Sequence, residues 1–141
     1  MRRGMTLLEL LLAITVLGLL VLVAVPGLAA LHDGARVRAE TLRLVAALDQ
    51  ARGAAIRFGS TVRVVLGDSS YQFTADPTEG ASESWRLPGS ISSDVQLAGA
   101  GAPILFGAAG LAVGVSNRTF TLTRGRITRR IVLSRLGRIT W

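Results

Sequence analysis

The sequence predicts an α+β fold in which one long N-terminal helix packs against an antiparallel β-sheet domain. Three features predict it. An uncharged apolar run covers residues 10–31, helical periodicity continues from there to about residue 58, and short β-branched segments with Gly-rich turns make up the rest. A helix followed by strands that pair with their neighbours in the chain is typical of α+β proteins.

The apolar run is long enough to cross a membrane. As a helix it spans roughly 33 Å, against a bilayer core of ~30 Å. A secretory signal has a shorter apolar region of ~7–15 residues before small residues at its cleavage site. Small residues at positions 24–30 keep a signal peptide open as an alternative. It does not explain Glu9, the one acid at the start of the run.

Glu9 needs a partner, because a charge inside a membrane costs roughly several kcal/mol. A cut between Gly4 and Met5 would give Met5 an α-amino group, with an ordinary pKa of about 7.7–8.0. This amine would lie about one helical turn from Glu9. Pairing with a carboxylate of the same or a neighbouring chain would set axial register, since a misplaced neighbour leaves a buried acid unpaired.

The start of the chain also carries a family resemblance, in the hexapeptide Gly4-Met5-Thr6-Leu7-Leu8-Glu9. The hexapeptide lies between a basic leader and the apolar run. It resembles the class III signal of type IV prepilins and type II secretion pseudopilins. The resemblance implies that a prepilin peptidase of the inner membrane cuts after Gly4 and N-methylates Met5. It also implies that Glu9 guides subunit docking. Met5 stands where the family more often has Phe.

Gly18 and Pro26 lie inside the apolar run. Gly weakens a helix interior by ~1 kcal/mol, and Pro removes a hydrogen bond and kinks the helix. We therefore expect a helix kink at these two residues, consistent with the local melting that the family's filaments tolerate. Both residues are also simply frequent in membrane helices, and both explanations stay open.

A second, amphipathic helical segment follows. Its apolar stripe recurs at three- and four-residue steps, at Val37, Thr41, Leu44, Val45, Leu48, Ala51, Ala55 and Ile56. Charged residues fall mainly between these positions and are expected on the solvent side: Arg36, Arg38, Glu40, Arg43, Asp49, Arg52 and Arg57. Gly59 is the expected stop.

The remaining chain predicts strands. Two hairpins are expected, one from Thr61–Leu66 and Tyr71–Ala75, the other from Arg118–Thr123 and Arg126–Ser134 around an Arg124-Gly125 turn. Shorter strands or apolar runs are expected at Trp85–Leu87, Val95–Ala98, Ile104–Phe106, Leu111–Val115 and Arg138–Trp141. Residues 76–103 are otherwise expected to be mostly loop.

The residues give no pattern typical of catalysis. The chain has no Cys and one His, His32, at the expected membrane boundary. Asp76, Glu79 and Glu83 lie in a loop without the spacing of a calcium-binding EF-hand. No phosphate-binding Gly motif is present, and no Ser has an evident base. We predict no enzyme, no metal site and no cofactor.

The charge is positive and uneven. The formal net charge is +7, all positive side chains are Arg, and no acid follows Asp94. This asymmetry suggests an anionic partner, although a GC-rich genome would equally explain the absence of Lys. The candidate DNA-binding residues are Arg124, Arg126, Arg129, Arg130, Arg135 and Arg138. The alternative is a solvated hairpin whose Arg residues discourage edge-to-edge pairing.

The end of the chain, residues 131–140, resembles the general secretion pathway protein H and FimT-type minor pilin group. FimT-type pilins of transformable bacteria carry a Gly-Arg-x-Arg motif linked to DNA capture. Here the motif reads Gly137-Arg138-Ile139-Thr140, so its second Arg is missing.

The two resemblances imply a domain organisation and a set of functions. We expect a leader at 1–4, a transmembrane or assembly helix at 5–31, its amphipathic continuation at 32–59 and a β domain at 60–141. The expected function is a non-catalytic minor pilin or pseudopilin subunit of a type II secretion pseudopilus or a type IV pilus. We expect it to be anchored in the inner membrane by a single span, with a periplasmic domain, and then built into a fibre with other pilins or pseudopilins. The alternatives are a DNA-binding pilin for natural transformation and an unrelated single-span protein.

Overall fold

The computed structural model describes residues 6–76, 82–114 and 117–141, with the backbone alone at 23–26, 76 and 91–92. Gly4, Met5 and Glu79 lie outside the described residues. One helix, α1, covers Leu7–Phe58 and is 52 residues long. It therefore unites the predicted apolar and amphipathic segments. The helix is continuous at Gly18 and Pro26, and the predicted kink there stays a prediction.

Both ends of α1 are capped. The Thr6 hydroxyl accepts a hydrogen bond from the Glu9 amide at 3.3 Å, which satisfies one of the free N–H groups of the first turn. At the other end Gly59 adopts φ 59°, and its N–H points to the carbonyls of Ala55 and Ile56. The predicted stop at Gly59 is confirmed, and the left-handed conformation explains the choice of Gly.

Nine strands follow the helix within the described residues. They are β1 Thr61–Leu66, β2 Ser70–Asp76, β3 Glu83–Pro88, β4 Gln96–Ala98, β5 Ile104–Phe106, β6 Ala112–Val113, β7 Arg118–Arg124, β8 Ile127–Leu133 and β9 Ile139–Thr140, with a 3₁₀ turn at Ser90–Ser93 before β4. All pairings between them are antiparallel.

The strands form two sheets rather than one. The first has the order β3-β2-β1-β5-β6 and the second β4-β7-β8-β9. The predicted hairpins are present as β1–β2 and β7–β8. The turn of the second is displaced by one residue from its predicted place. Arg124 pairs with Ile127, which leaves Gly125 and Arg126 as the loop. Gly125 takes the position that needs a positive φ, here 56°.

The helix and both sheets share one core. Along α1 the buried apolar residues are Val37, Leu44, Ala47, Leu48, Ala51, Ala54 and Ala55. They pack with alternating strand residues, among them Val62, Val64, Tyr71, Phe73, Phe106, Phe120, Leu122 and Ile131. The predicted stripe on α1 is confirmed in outline, except that Ile56 is 53% exposed. Glu40, predicted on the solvent side, is completely buried.

Candidate assembly site and charged surfaces

No side chain that the structure describes in the first half of α1 is buried. Its large apolar side chains from Leu7 to Leu22 are all about half exposed or more, and Leu28 and Leu31 are exposed as well. The most apolar 18-residue window has a mean hydropathy of 2.8 with none of it buried. By length and composition, this part of the helix is able to cross a membrane. An apolar surface of this size requires lipid or other helices around it.

Glu9 lies in the first turn of α1 and is exposed. The N-terminal end of a helix dipole favours a negative charge, and Thr6 adds the backbone cap described above. The sequence Thr6-Leu7-Leu8-Glu9 has the spacing of a capping box, a local pattern that marks the start of a helix. The carboxylate is thus placed at the very start of the exposed apolar half.

Glu40 is the centre of a buried polar cluster. One carboxylate oxygen accepts a hydrogen bond from the Tyr71 hydroxyl at 2.9 Å, and the other accepts from Ser93 at 2.8 Å and from Arg43 at 2.9 Å. A buried carboxylate is tolerated because these three donors replace its water. The cluster joins α1 to β2 and to the 3₁₀ turn. Burial, the charge of Glu40 and the hydrogen bond to Glu40 raise the pKa of Tyr71 well above 10.

Arg124 forms a second junction, where α1 enters the β domain. Its Nε donates to Asp33 at 2.7 Å. One terminal nitrogen donates to the Ser93 carbonyl at 2.8 Å and lies 3.2 Å from an Asp94 carboxylate oxygen. The Arg124 side chain is only 20% exposed. Predicted as a DNA-binding residue, it is instead engaged within the chain and holds the β7–β8 hairpin against the helix.

The structure separates the other predicted Arg residues into two groups. Arg126 lies in the β7–β8 turn, where Gly125 is beside Asp33, and Arg129 and Arg130 follow within β8. Arg135 and Arg138 lie around the turn between β8 and β9. All five are exposed and form no ion pair within the described residues. At ~3.3 Å per residue, β8 extends over roughly 20 Å, and Arg126 and Arg135 follow its opposite ends. The six residues therefore do not form one cluster.

The structure explains why position 137 of the C-terminal motif is a glycine. Its φ is 73°, and a Cβ there would collide with the Gly110 carbonyl and lie 3.2 Å from Arg52 Nε. Two glycines thus enclose the side chain of Arg52. The buried Arg52 Nε has no hydrogen-bond partner within the described residues.

Asp76, Glu83 and His32 are the acids and the histidine considered as metal ligands or catalytic groups that lie within the described residues. Asp76 and Glu83 are at the facing ends of β2 and β3, and Glu79 lies outside the described residues. Within the described ranges, no three His, Asp or Glu side chains come together as metal ligands would. His32 is exposed, one residue before Asp33.

Comparison with known proteins agrees with this architecture. The family model "Type II transport protein GspH" matches residues 40–137, and the model "Prokaryotic N-terminal methylation motif" matches residues 1–25. The first covers the amphipathic part of α1 and nearly all of the β domain. The second covers the hexapeptide and most of the apolar run. No curated protein matches the sequence.

Two solved structures share the fold. Both are of the type IV minor pilin FimU from Pseudomonas aeruginosa strain PAO1, in different crystal forms. One is 16% identical with a TM-score of 0.60, covering 77% of this chain and 89% of that chain. The other is 19% identical with a TM-score of 0.56, covering 73% and 90%. The α+β pilin-like fold is thereby confirmed. Because the family model extends over well more than half of its residues, this protein belongs to the type II transport protein GspH family.

Proposed function

We propose that this protein is a non-catalytic minor pilin or pseudopilin subunit, processed by a prepilin peptidase and assembled through its N-terminal helix. One observation carries the proposal. The large apolar side chains described in the first half of α1 are about half exposed or more, and this half begins at an acid and continues as one helix into the segment that forms the domain core. A single helix would therefore join the membrane or fibre interior to the folded domain.

Processing would occur between Gly4 and Met5. The methylation-motif match over residues 1–25 supports this assignment. The cut would remove Arg2 and Arg3 and expose the α-amino group of Met5, which becomes N-methylated. Thr6 would then be the second residue of the mature chain, with its cap at the start of α1 retained.

Glu9 would be the docking residue. In a bundle of apolar helices, an unpaired carboxylate is costly, and the methylated amine of Met5 supplies the opposite charge. Only one axial position brings the amine of one subunit next to the carboxylate of another. Before assembly the precursor is held in the inner membrane as a single-pass protein with its β domain in the periplasm.

The mature N-terminus tests processing. The full-length chain is produced with and without a prepilin peptidase, and its N-terminal peptide is analysed by mass spectrometry. We expect a methylated Met5 N-terminus only when the peptidase is present. An unchanged Met1 N-terminus in the presence of an active peptidase would contradict the proposal.

The Glu9→Val variant tests docking. We expect membrane insertion to persist and fibre incorporation to be lost, since the variant removes the charge and retains the apolar helix. Thr15→Val is the matched control, because Thr15 is also exposed on α1 and, among the described residues, its hydroxyl donates to the Leu12 carbonyl of its own helix. Normal incorporation of Glu9→Val would show that the charge does not set the register.

A DNA-binding minor pilin for natural transformation is the second candidate. It is favoured by the five exposed Arg side chains that form no ion pair within the described residues. The full-length chain in detergent is titrated with duplex DNA at several salt concentrations, beside an Arg126/Arg129/Arg130/Arg138→Ala variant. Binding that weakens steeply with salt and is lost in the variant supports DNA capture. Absence of binding at low salt leaves the structural role alone.

A further inference from the structure

Exposed arginines follow the apolar run of α1 at the point where the helix enters the β domain. The run ends at Leu31, and Arg36 and Arg38 are exposed beyond it. At 1.5 Å per residue, their Cα atoms lie only about 8 and 11 Å past Leu31 along the helix. The headgroup layer beside a bilayer core is roughly 5–8 Å thick. Long Arg side chains can direct their charge toward such a layer while their apolar stems lie along the helix.

The β7–β8 turn brings a third arginine to the same level of the helix. Asp33, two residues after Leu31, accepts a hydrogen bond from Arg124 Nε at 2.7 Å. In the turn itself, a Cβ at Gly125 would lie 2.6 Å from Asp33 Oδ2. Arg126 is the other residue of this turn and is exposed. The hairpin therefore places Arg126 beside the end of the apolar run.

Arg36, Arg38 and Arg126 together form a surface that we call the basic collar, and they lie on different sides of α1. Successive helical residues are about 100° apart. Arg36 and Arg38 therefore flank Val37, which is completely buried against the domain, while Arg126 approaches from the domain itself. Within the described residues, none of the three forms an ion pair. Their charge is available to a partner outside the chain.

The acids at this junction do not cancel the charge of the collar. Asp33 and Asp94 each have a carboxylate oxygen within 3.2 Å of the Arg124 guanidinium. Asp68 lines the open cleft beside Gly125, together with Asp94 and Arg124. Two further exposed arginines follow the turn within β8, Arg129 and Arg130. Among the described residues, arginines therefore outnumber carboxylates where α1 enters the domain.

Processing would leave this positive charge on one side of the apolar run only. The proposed cut after Gly4 removes Arg2 and Arg3, and every remaining Arg lies on the C-terminal side of Leu31. An Arg close to a membrane surface that contains acidic lipid strengthens binding to that surface about fivefold. The collar thus lies where such a gain is available.

We propose that the basic collar binds the phosphate groups of acidic phospholipids in the leaflet at which the apolar run ends. The inference rests on the proposed function, because it requires α1 to span a bilayer. Arg is suited to this role, since its guanidinium donates two parallel hydrogen bonds to phosphate oxygens and stays charged at working pH. Entry into a fibre would break these contacts, so the collar retains the subunit in the membrane until it is extracted.

Fluorescence quenching by labelled lipids tests the collar. The chain has no Cys, so Ala35→Cys, exposed on α1 beside Arg36, accepts a single fluorophore at the junction. Full-length protein is reconstituted into phosphatidylcholine bilayers with phosphatidylglycerol or phosphatidylcholine that is spin-labelled near the top of one acyl chain. We expect labelled phosphatidylglycerol to quench equally at about one-fifth of the concentration. Added salt should reduce this preference.

Two triple variants in the same labelled chain locate the effect. Arg36/Arg38/Arg126→Ala should be quenched equally by both lipids. Arg63/Arg135/Arg138→Ala is the matched control, because it removes the same charge at exposed positions away from the collar, and it should keep the preference.

Equal quenching by both lipids in the chain with an intact collar would overturn the proposal. Loss of the preference in both triple variants would overturn it as well, since overall charge would then explain the effect. A third contradicting result is duplex DNA binding in detergent that only the collar variant loses, without any lipid preference in bilayers. That result would assign the collar to DNA.

These outcomes are distinguishable from failure of the proposed function. If the chain is not processed at Met5 or does not insert into bilayers, the proposed function fails. If processed protein inserts and shows no preference for the acidic lipid, only the lipid contact of the collar fails.

Discussion

At the scale of single residues, Glu40 and Tyr71 show how a polar pair can be part of a core. Neither side chain has exposed surface. Tyr71 donates to the Glu40 carboxylate, and ionisation of Tyr71 would place a second negative charge beside it without water. The hydroxyl therefore keeps its proton in the folded protein at a pH where an ordinary tyrosine has lost it.

Tyr71 is the only tyrosine in the chain, so its titration is directly observable. The unfolded chain has a Tyr pKa of about 10, and burial and Glu40 raise the pKa in the folded state. Because the folded-state pKa of Tyr71 is the higher one, a rise in pH removes stability from the fold. The stability linked to the protonated Tyr71 hydroxyl is fully present below pH ~10 and is lost as the pH rises through the folded-state pKa. We expect no tyrosinate absorbance from folded protein at about pH 11. Full absorbance there, with the fold intact by circular dichroism, would contradict the buried pair.

Gly137 gives a second residue-scale prediction. Gly137→Ala combines a positive φ with a collision against the Gly110 backbone, and should lower the free energy of unfolding by about 2–4 kcal/mol. Gly53→Ala is the matched control, because Gly53 is exposed in α1 with open space around it. That variant should be stabilised by about 0.5–1 kcal/mol. Denaturant unfolding in detergent measures the free energy of unfolding of both variants. Similar changes for Gly137→Ala and Gly53→Ala would refute the close packing around Gly137.

At the scale of elements, the position of the β7–β8 hairpin on α1 depends on Arg124. The hairpin contributes Phe120, Leu122, Ile131 and Leu133 to the core, but apolar contacts alone are weakly directional. Arg124 connects three elements at once, namely α1 through Asp33, the 3₁₀ turn through the Ser93 carbonyl, and its own strand.

Arg124→Ala should destabilise the domain by about 1–3 kcal/mol, since it leaves Asp33 and the Ser93 carbonyl without their shared donor. Arg126→Ala is the control at the same turn, because Arg126 is exposed and forms no ion pair within the described residues. It should change stability by no more than about 0.5 kcal/mol. Thermal unfolding followed by near-ultraviolet circular dichroism compares them. An equal, small effect of both would mean that packing alone holds the hairpin.

At the scale of the whole molecule, α1 has two separate environments. Its buried residues begin at Val37, while the large apolar side chains described before that residue are exposed. The membrane or fibre segment is therefore an extension of the domain and no part of its core. Stability of the domain and insertion of the helix should be separable properties.

A fragment of residues 33–141 tests this separation. We expect it to be soluble without detergent and to unfold in one cooperative transition, since it retains the Asp33–Arg124 pair and every buried residue of α1. Within this fragment Asp33→Ala should cost about 1–2 kcal/mol. An unfolded or aggregating fragment would show that the domain depends on the preceding helix. Gel filtration and circular dichroism provide the measurement.

Local sequence patterns were enough to predict the elements of this fold. The apolar run and the 3.6-residue periodicity predicted α1 to its last turn at Phe58, and Gly59 marked its end. Alternation in residues 61–75 and 118–134 predicted the two hairpins. These signals depend on neighbouring residues alone, because side chains repeat along a helix or strand with a fixed period. The docking role of Glu9 and the processing site at Gly4 and Met5 stay predictions.

What the sequence by itself determined is therefore the order of elements, the membrane-length helix and the family. Tertiary structure alone decided which charges are free. It buried Glu40 against residues 31 and 53 positions away, paired Arg124 with Asp33 across 91 positions, and separated the remaining Arg residues into two groups. Whether a charged side chain is solvated or paired depends on groups brought close by folding. The periodicity of neighbouring residues does not predict the distances between residues that are far apart in the sequence.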